Sequence, residues 1–158
     1  MCVYRLLNKI MKSILLVIGL ALSYTASAQW VSKHVDNGFD EPYNIAYTED
    51  RGSYLKLENS DGEIFLYVGG GYTCDEELTV DVSFIINGEY SKYTFRAVTS
   101  DDKKNVFFVS NLLNESCLAD FKACSLVKIR INDTACDSEV YTFNMSGSTA
   151  ALKFVINQ

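Results

Sequence analysis

On either side of Asn87-Gly88, apolar and polar residues alternate with a period of two, from Leu78 to Ile86 and from Glu89 to Val98. Such alternation marks a half-buried strand, and Asn-Gly suits the type I′ turn of a two-residue hairpin. The turn predicts the register. Ile86 falls opposite Glu89, which places Val82 by Tyr93, Val80 by Phe95 and Leu78 by Ala97 on one side. Ser83 then meets Lys92, Asp81 meets Thr94 and Thr79 meets Arg96 on the other. A second hairpin is expected from residues 54–58 and 63–68 about the turn Asn59-Ser60-Asp61-Gly62, with Leu55 by Leu66 and Leu57 by Ile64. A third joins 126–132 to 139–145, where Val127, Ile129 and Ile131 face Tyr141, Phe143 and Met145. Short strands are expected near 30–35, 44–48 and 106–110.

Two segments leave the alternation. In 112–124 the apolar residues Leu113, Cys117, Phe121 and Cys124 are spaced for a helix, and 148–155 reads as a closing helix capped by Ser146 or Ser148 after Gly147. The expected fold class is therefore all-β: an antiparallel β-sandwich with one or two short helices.

The first 28 residues follow a different pattern. Arg5, Lys9 and Lys12 precede the apolar run 13–22, and Ala26-Ser27-Ala28 follows it, which is the order of a cleavable secretory signal peptide. Ten apolar residues are about half of a bilayer-spanning helix. No cysteine follows the cleavage point as a lipoprotein would need, so no membrane anchor is expected after cleavage. Met11-Lys12 offers an alternative start to Met1. The expected division is a leader at 1–28 and one β-sandwich domain at 29–158, periplasmic or extracellular.

Removing the leader takes three of the 14 Lys and Arg and none of the 20 Asp and Glu, leaving a net charge of −9. A surface this acidic repels phosphate backbones and anionic headgroups, so nucleic acid is not an expected partner and a cationic protein is a better one.

Export also sets the cysteine chemistry. Four cysteines remain in 29–158, and an oxidising compartment favours disulfides over zinc, for which close Cys-x-x-Cys pairs are missing. Cys117 and Cys124 stand about 10 Å apart along a helix, too far to bridge. If that helix runs back across the sheet, chain direction predicts the pairs Cys74 to Cys124 and Cys117 to Cys136.

Few residues suggest a reaction. His34, the single histidine, lies on an expected edge strand, and no Gly-x-Ser-x-Gly elbow accompanies it. Asp75-Glu76-Glu77 with Asp81, and Asp36 with Asp40 and Glu41, are candidate acid/base or cation-binding groups, but neither has the EF-hand spacing. Gly69-Gly70-Gly71 lacks the Lys-Ser/Thr of a phosphate loop and reads as a flexible connection to Cys74. Asn114, Asn132 and Asn144 begin glycosylation sequons of the kind that arise by chance in an Asn- and Ser-rich chain. No cofactor or metal is expected.

Binding is better provided for. If Leu55, Leu57, Ile64 and Leu66 face the core, the same hairpin turns Tyr54, Phe65 and Tyr67 outward with Lys56, placing Tyr54 by Tyr67 and Lys56 by Phe65. Such a cluster stacks on sugar rings or anchors a protein interface, unless the closing helix covers it.

The strand order, the early Trp30 and the ending Phe143-Asn-Met-Ser-Gly-Ser-Thr-Ala-Ala-Leu152 together resemble small exported Gram-negative sandwiches, the invasion-associated locus B proteins and type VI secretion accessory proteins. The resemblance implies an envelope location and no particular catalytic residue. The expected function is a non-catalytic binding or adaptor module for a protein or glycan of the envelope, Tyr54, Phe65 and Tyr67 being its binding residues. The alternative is an inhibitor or immunity protein against a cationic wall hydrolase.

Overall fold

In the computed structural model the described residues are 30–36, 38 and 41–157. The leader expected at 1–28 lies outside them. Nine strands form one antiparallel sheet: β1 Val31–Val35, β2 Tyr43–Asp50, β3 Ser53–Ser60, β4 Glu63–Gly69, β5 Glu77–Ile86, β6 Glu89–Thr99, β7 Asn105–Phe108, β8 Leu126–Asn132 and β9 Glu139–Asn144. A 3-10 turn at Leu112–Asn114 leads to α1, Leu118–Ala123, and the fold closes with α2, Ser148–Ile156. This is the expected all-β class, with two short helices.

The order across the sheet is β1-β2-β3-β4-β7-β6-β5-β8-β9. The central strands each bury one alternating set, among them Leu55 and Leu57, Ile64, Leu66 and Val68, Val80, Val82 and Phe84, and Val127, Ile129 and Ile131. A flat sheet could not bury one face of so many strands against two small helices. The sheet instead folds onto itself, so that β9 comes against β2 and β3, and its two halves enclose a single core. Ala46 and Thr48, small and fully buried on β2, keep the core thin where β9 approaches.

Helix α2 packs on β1, β2 and β3 from the core side, burying Ala151, Leu152 and Val155. Buried asparagines hold its last turn. Asn44 donates to the carbonyls of Phe154 and Asn157 at 3.0 and 3.2 Å, and Asn59 donates to that of Val155 at 3.0 Å. These are carbonyls a helix C-terminus leaves without intrahelical partners. The expected serine cap is not used: Gly147 is the N-cap, with a positive φ, while Ser148 and Thr149 donate to the α1 carbonyls of Phe121 and Lys122.

The β5/β6 register is the one the Asn87-Gly88 turn predicts, pair for pair. The β3/β4 register differs by two residues: Leu55 meets Val68, Lys56 meets Tyr67 and Leu57 meets Leu66. The cause is the turn. Asp61 and Gly62 both take positive φ, 54° and 82°, so this is a two-residue hairpin, and Asn59 and Ser60 belong to the strand. Arg51-Gly52 makes a third such turn between β2 and β3, with φ of 52° and 86°.

Candidate functional site

A register shift of two preserves which side chains share a face, so Tyr54, Phe65 and Tyr67 do lie together on the outer face of β3 and β4. Their neighbours change. Tyr67 stands opposite Lys56, whose Nζ sits 4.1 Å from the ring centre, and Phe65 stands opposite Glu58. Lys56 and Glu58 form an ion pair at 2.6 Å, the Tyr67 hydroxyl donates to Glu58, and Phe107 of β7 meets the Tyr67 ring edge-on at 4.8 Å. Burial, then the Glu58 carboxylate, raises the Tyr67 phenol above its ordinary range and keeps it neutral.

Tyr54 is not beside Tyr67. It lies opposite Gly69, and its hydroxyl donates to Asn105. A Cβ on Gly69 would run into the Tyr54 ring and the Asn105 amide, and one on Gly71 would strike Tyr141 and Glu139. Gly69-Gly70-Gly71 is thus a close-packed corner rather than the flexible loop its composition suggests.

Helix α2 covers the opposite face of β2 and β3, leaving the aromatic face without a helix above it. Sequence reading missed how far this face extends. Tyr67, Phe107 and Val98 share one row across β4, β7 and β6, and Val98 is 37% exposed. Phe65 continues the stripe along β4. Phe107 and Val98 could not be added without knowing that β7 lies between β4 and β6.

The cysteine pairing is corrected. Cys74 bonds Cys136, while Cys117 and Cys124 are buried thiols. The physical reason is strand direction. Because β5 and β8 are antiparallel, Thr79 near the start of β5 lies by Asn132 at the end of β8, and Cys74 and Cys136 flank those two points. Cys124 precedes the start of β8, by Ile85, a strand length away. Burial pushes the Cys117 thiol up to about 11 and the Cys124 thiol to about 12, so neither is a nucleophile near neutral pH.

Asp133 organises the disulfide end. Its carboxylate accepts the backbone N–H groups of Cys74, Ala135 and Cys136, which lower its pKa against the opposing effect of desolvation. Cys74, Asp133 and Cys136 bring three metal-type donor atoms within 4.8 Å, but the two sulfurs are spent on each other.

The carboxylates singled out in the sequence do not converge. Asp75 accepts from Thr134, Glu77 pairs with Arg96 at 3.5 Å, and Asp81 accepts from Thr94 and Asn132. Asp36 accepts from Gly38, and Asp40 lies outside the described residues. His34 is exposed on edge strand β1 and pairs with Asn44 at 2.8 Å. The sequon residues Asn132 and Asn144 have structural duties, toward Asp81 and the Ser146 N–H.

A second surface was not legible at all. On the outer face of β6, β5, β8 and β9 a groove of about 520 Å³ is lined by Tyr90, Lys92, Asp81, Ser83, Lys128 and Arg130, among others. Central strand β5 contributes the short Asp81 and Ser83, and its neighbours contribute longer side chains, so the middle of the sheet is a trough. Comparison of the chain with protein-family models, curated proteins and solved structures finds no match in any of the three.

Proposed function

We propose that this protein is a non-catalytic binding or adaptor module of the bacterial envelope, periplasmic or extracellular, which holds a protein or glycan partner on the outer face of β4, β7 and β6. The observation that carries the proposal is the stripe of Phe65, Tyr67, Phe107 and Val98, left uncovered by both helices. Aromatics on a paired sheet offer large contact area with few rotors to freeze. The leader at 1–28 and the disulfide at Cys74–Cys136 support an oxidising, exported setting. Among the described residues no helix is long and apolar enough to cross a membrane. The resemblance to invasion-associated locus B and type VI secretion accessory proteins agrees with this reading.

The test is capture from an envelope extract. Phe65→Ser with Val98→Ser removes apolar area from the stripe without touching the Tyr67 contacts, and is expected to abolish capture while leaving the melting temperature within a few degrees. Capture that persists in this variant overturns the proposal.

A second reading has its own observation. The loops around the disulfide gather Asp75, Glu76, Asp101, Asp102, Asp137 and Glu139 at one end of the sheet, where Thr73 bonds the Lys103 carbonyl and Cys74 bonds Cys136. An acidic end of this kind suits an inhibitor of a cationic wall hydrolase. Salt-sensitive capture of such a hydrolase, lost on neutralising Asp101 and Asp102 and indifferent to Phe65→Ser, would establish that reading over the first.

A further inference from the structure

The groove on β6, β5, β8 and β9 runs against the charge of the whole chain. Three cations reach into it, Lys92, Lys128 and Arg130, against the single acid Asp81. Among the described residues these three make no ion pair, whereas Lys56 and Arg96 do. Asp81 is held to the floor by Thr94 at 2.7 Å and Asn132 at 3.0 Å. The trough thus keeps an excess of two positive charges on a chain whose formal net charge is −6.

Register places the parts. Lys92 and Lys128 flank Ser83 in one row, and Arg130 stands beside Asp81 in the next. Two strand spacings put the lysine backbones about 10 Å apart, with the Ser83 hydroxyl on the floor between them. At one end Tyr90 is 58% exposed, with Lys128 Nζ 5.9 Å from its ring centre, and at the other Val140 is 57% exposed. Three cations without ion-pair partners among the described residues, a hydroxyl and an accessible ring face line one cleft of small-ligand size.

We propose that this groove binds a short anionic oligosaccharide carrying ring carboxylates, a uronic-acid oligomer. Its carboxylates lie between Lys92 and Lys128 and against Arg130, and one ring face packs on Tyr90. Three observations select this occupant. The net negative charge of the chain opposes a dense polyanion such as nucleic acid or a lipid surface, and leaves a ligand of a few charges. Strands β5 and β8, which make the floor of the groove, are each paired on both sides, so the floor offers no free main-chain edge to which an acidic peptide could add as a strand. A side-chain-only cleft favours rigid sugar rings, which lose little conformational freedom on binding, over a flexible peptide. This site is separate from the aromatic stripe and does not depend on it.

The experiment is titration of the full exported chain with a galacturonic acid tetramer, followed by calorimetry and by backbone amide shifts. Three controls accompany it: a neutral hexose tetramer, a tetraglutamate peptide and high salt. Binding is expected with shifts centred on Ser83, Lys92 and Lys128, at least tenfold weaker for the neutral sugar and the peptide, and weakened by salt. Lys92→Ala with Lys128→Ala should raise the dissociation constant at least tenfold, and Tyr90→Ala several-fold. Both alter exposed side chains and should leave the melting temperature nearly unchanged. Phe65→Ser should leave uronate binding intact, which separates this site from the stripe. Equal affinity for the neutral sugar, tighter binding of the peptide, indifference to the lysine pair, or no shift at millimolar tetramer each overturns the proposal.

Discussion

Asn59 on β3 donates its side-chain N–H to the carbonyl of Val155, 96 residues later, and its side-chain Oδ1 accepts the Gly62 N–H. One buried side chain thus closes the Asp61-Gly62 hairpin and ties down the last turn of α2. Asn59→Ala should cost about 1–3 kcal/mol, because a buried helix carbonyl loses its partner. Thermal unfolding should show a fall of several degrees, and hydrogen exchange should speed up across Ser148–Ile156. An unchanged melting temperature would mean that water replaces the amide without loss.

Gly69 and Tyr54 are coupled by space. Gly69→Ala should destabilise the protein by about 1–3 kcal/mol, since the added methyl displaces the Tyr54 ring and its bond to Asn105. In a Tyr54→Ala background the same change should cost less, giving a coupling of at least about 0.5 kcal/mol in denaturant midpoints. Additive costs would place the clash elsewhere.

Thiol chemistry separates the two cysteine pairs. Peptide mapping without reduction should recover Cys74 joined to Cys136. Alkylation at pH 8 should leave Cys117 and Cys124 unmodified in the folded protein and label both in denaturant, because burial raises both thiols well above that pH. In the chain-entropy model, a closed loop spanning 62 residues contributes about 4 kcal/mol, so Cys74→Ser with Cys136→Ser should lower stability strongly. Recovery of Cys124 in a crosslinked peptide would contradict the fold at the disulfide end.

The carboxyl of Asp133 is lowered in the folded state, so it contributes stability above its unfolded pKa of about 3.9, and that contribution is lost as pH falls through the folded value. Asp133→Asn should therefore be less stable than the parent at pH 7, and the gap should close as pH falls below the unfolded pKa and through the lower folded one. Urea midpoints taken from pH 7 to pH 2.5 would show it. A gap that stays constant with pH would assign the loss to geometry rather than charge.

What the sequence determined by itself was local: the strand parity, the Asn87-Gly88 register, the class of fold, and the common face of Tyr54, Phe65 and Tyr67. Each follows from the two-residue period and from turn chemistry between neighbours along the chain. Asp61-Gly62 shows the limit of that reading. Parity survives a shift of two, so the faces were right while every cross-strand partner in that hairpin was not. The tertiary structure decided whatever depends on which strands lie side by side. That β5 sits between β6 and β8 sets Lys92 and Lys128 on either side of Ser83 and brings Cys74 to Cys136, and that β7 enters between β4 and β6 joins Phe107 and Val98 to Tyr67. Alternation is the same whichever neighbour a strand takes, so these pairings are selected only when the folded sheet closes its core.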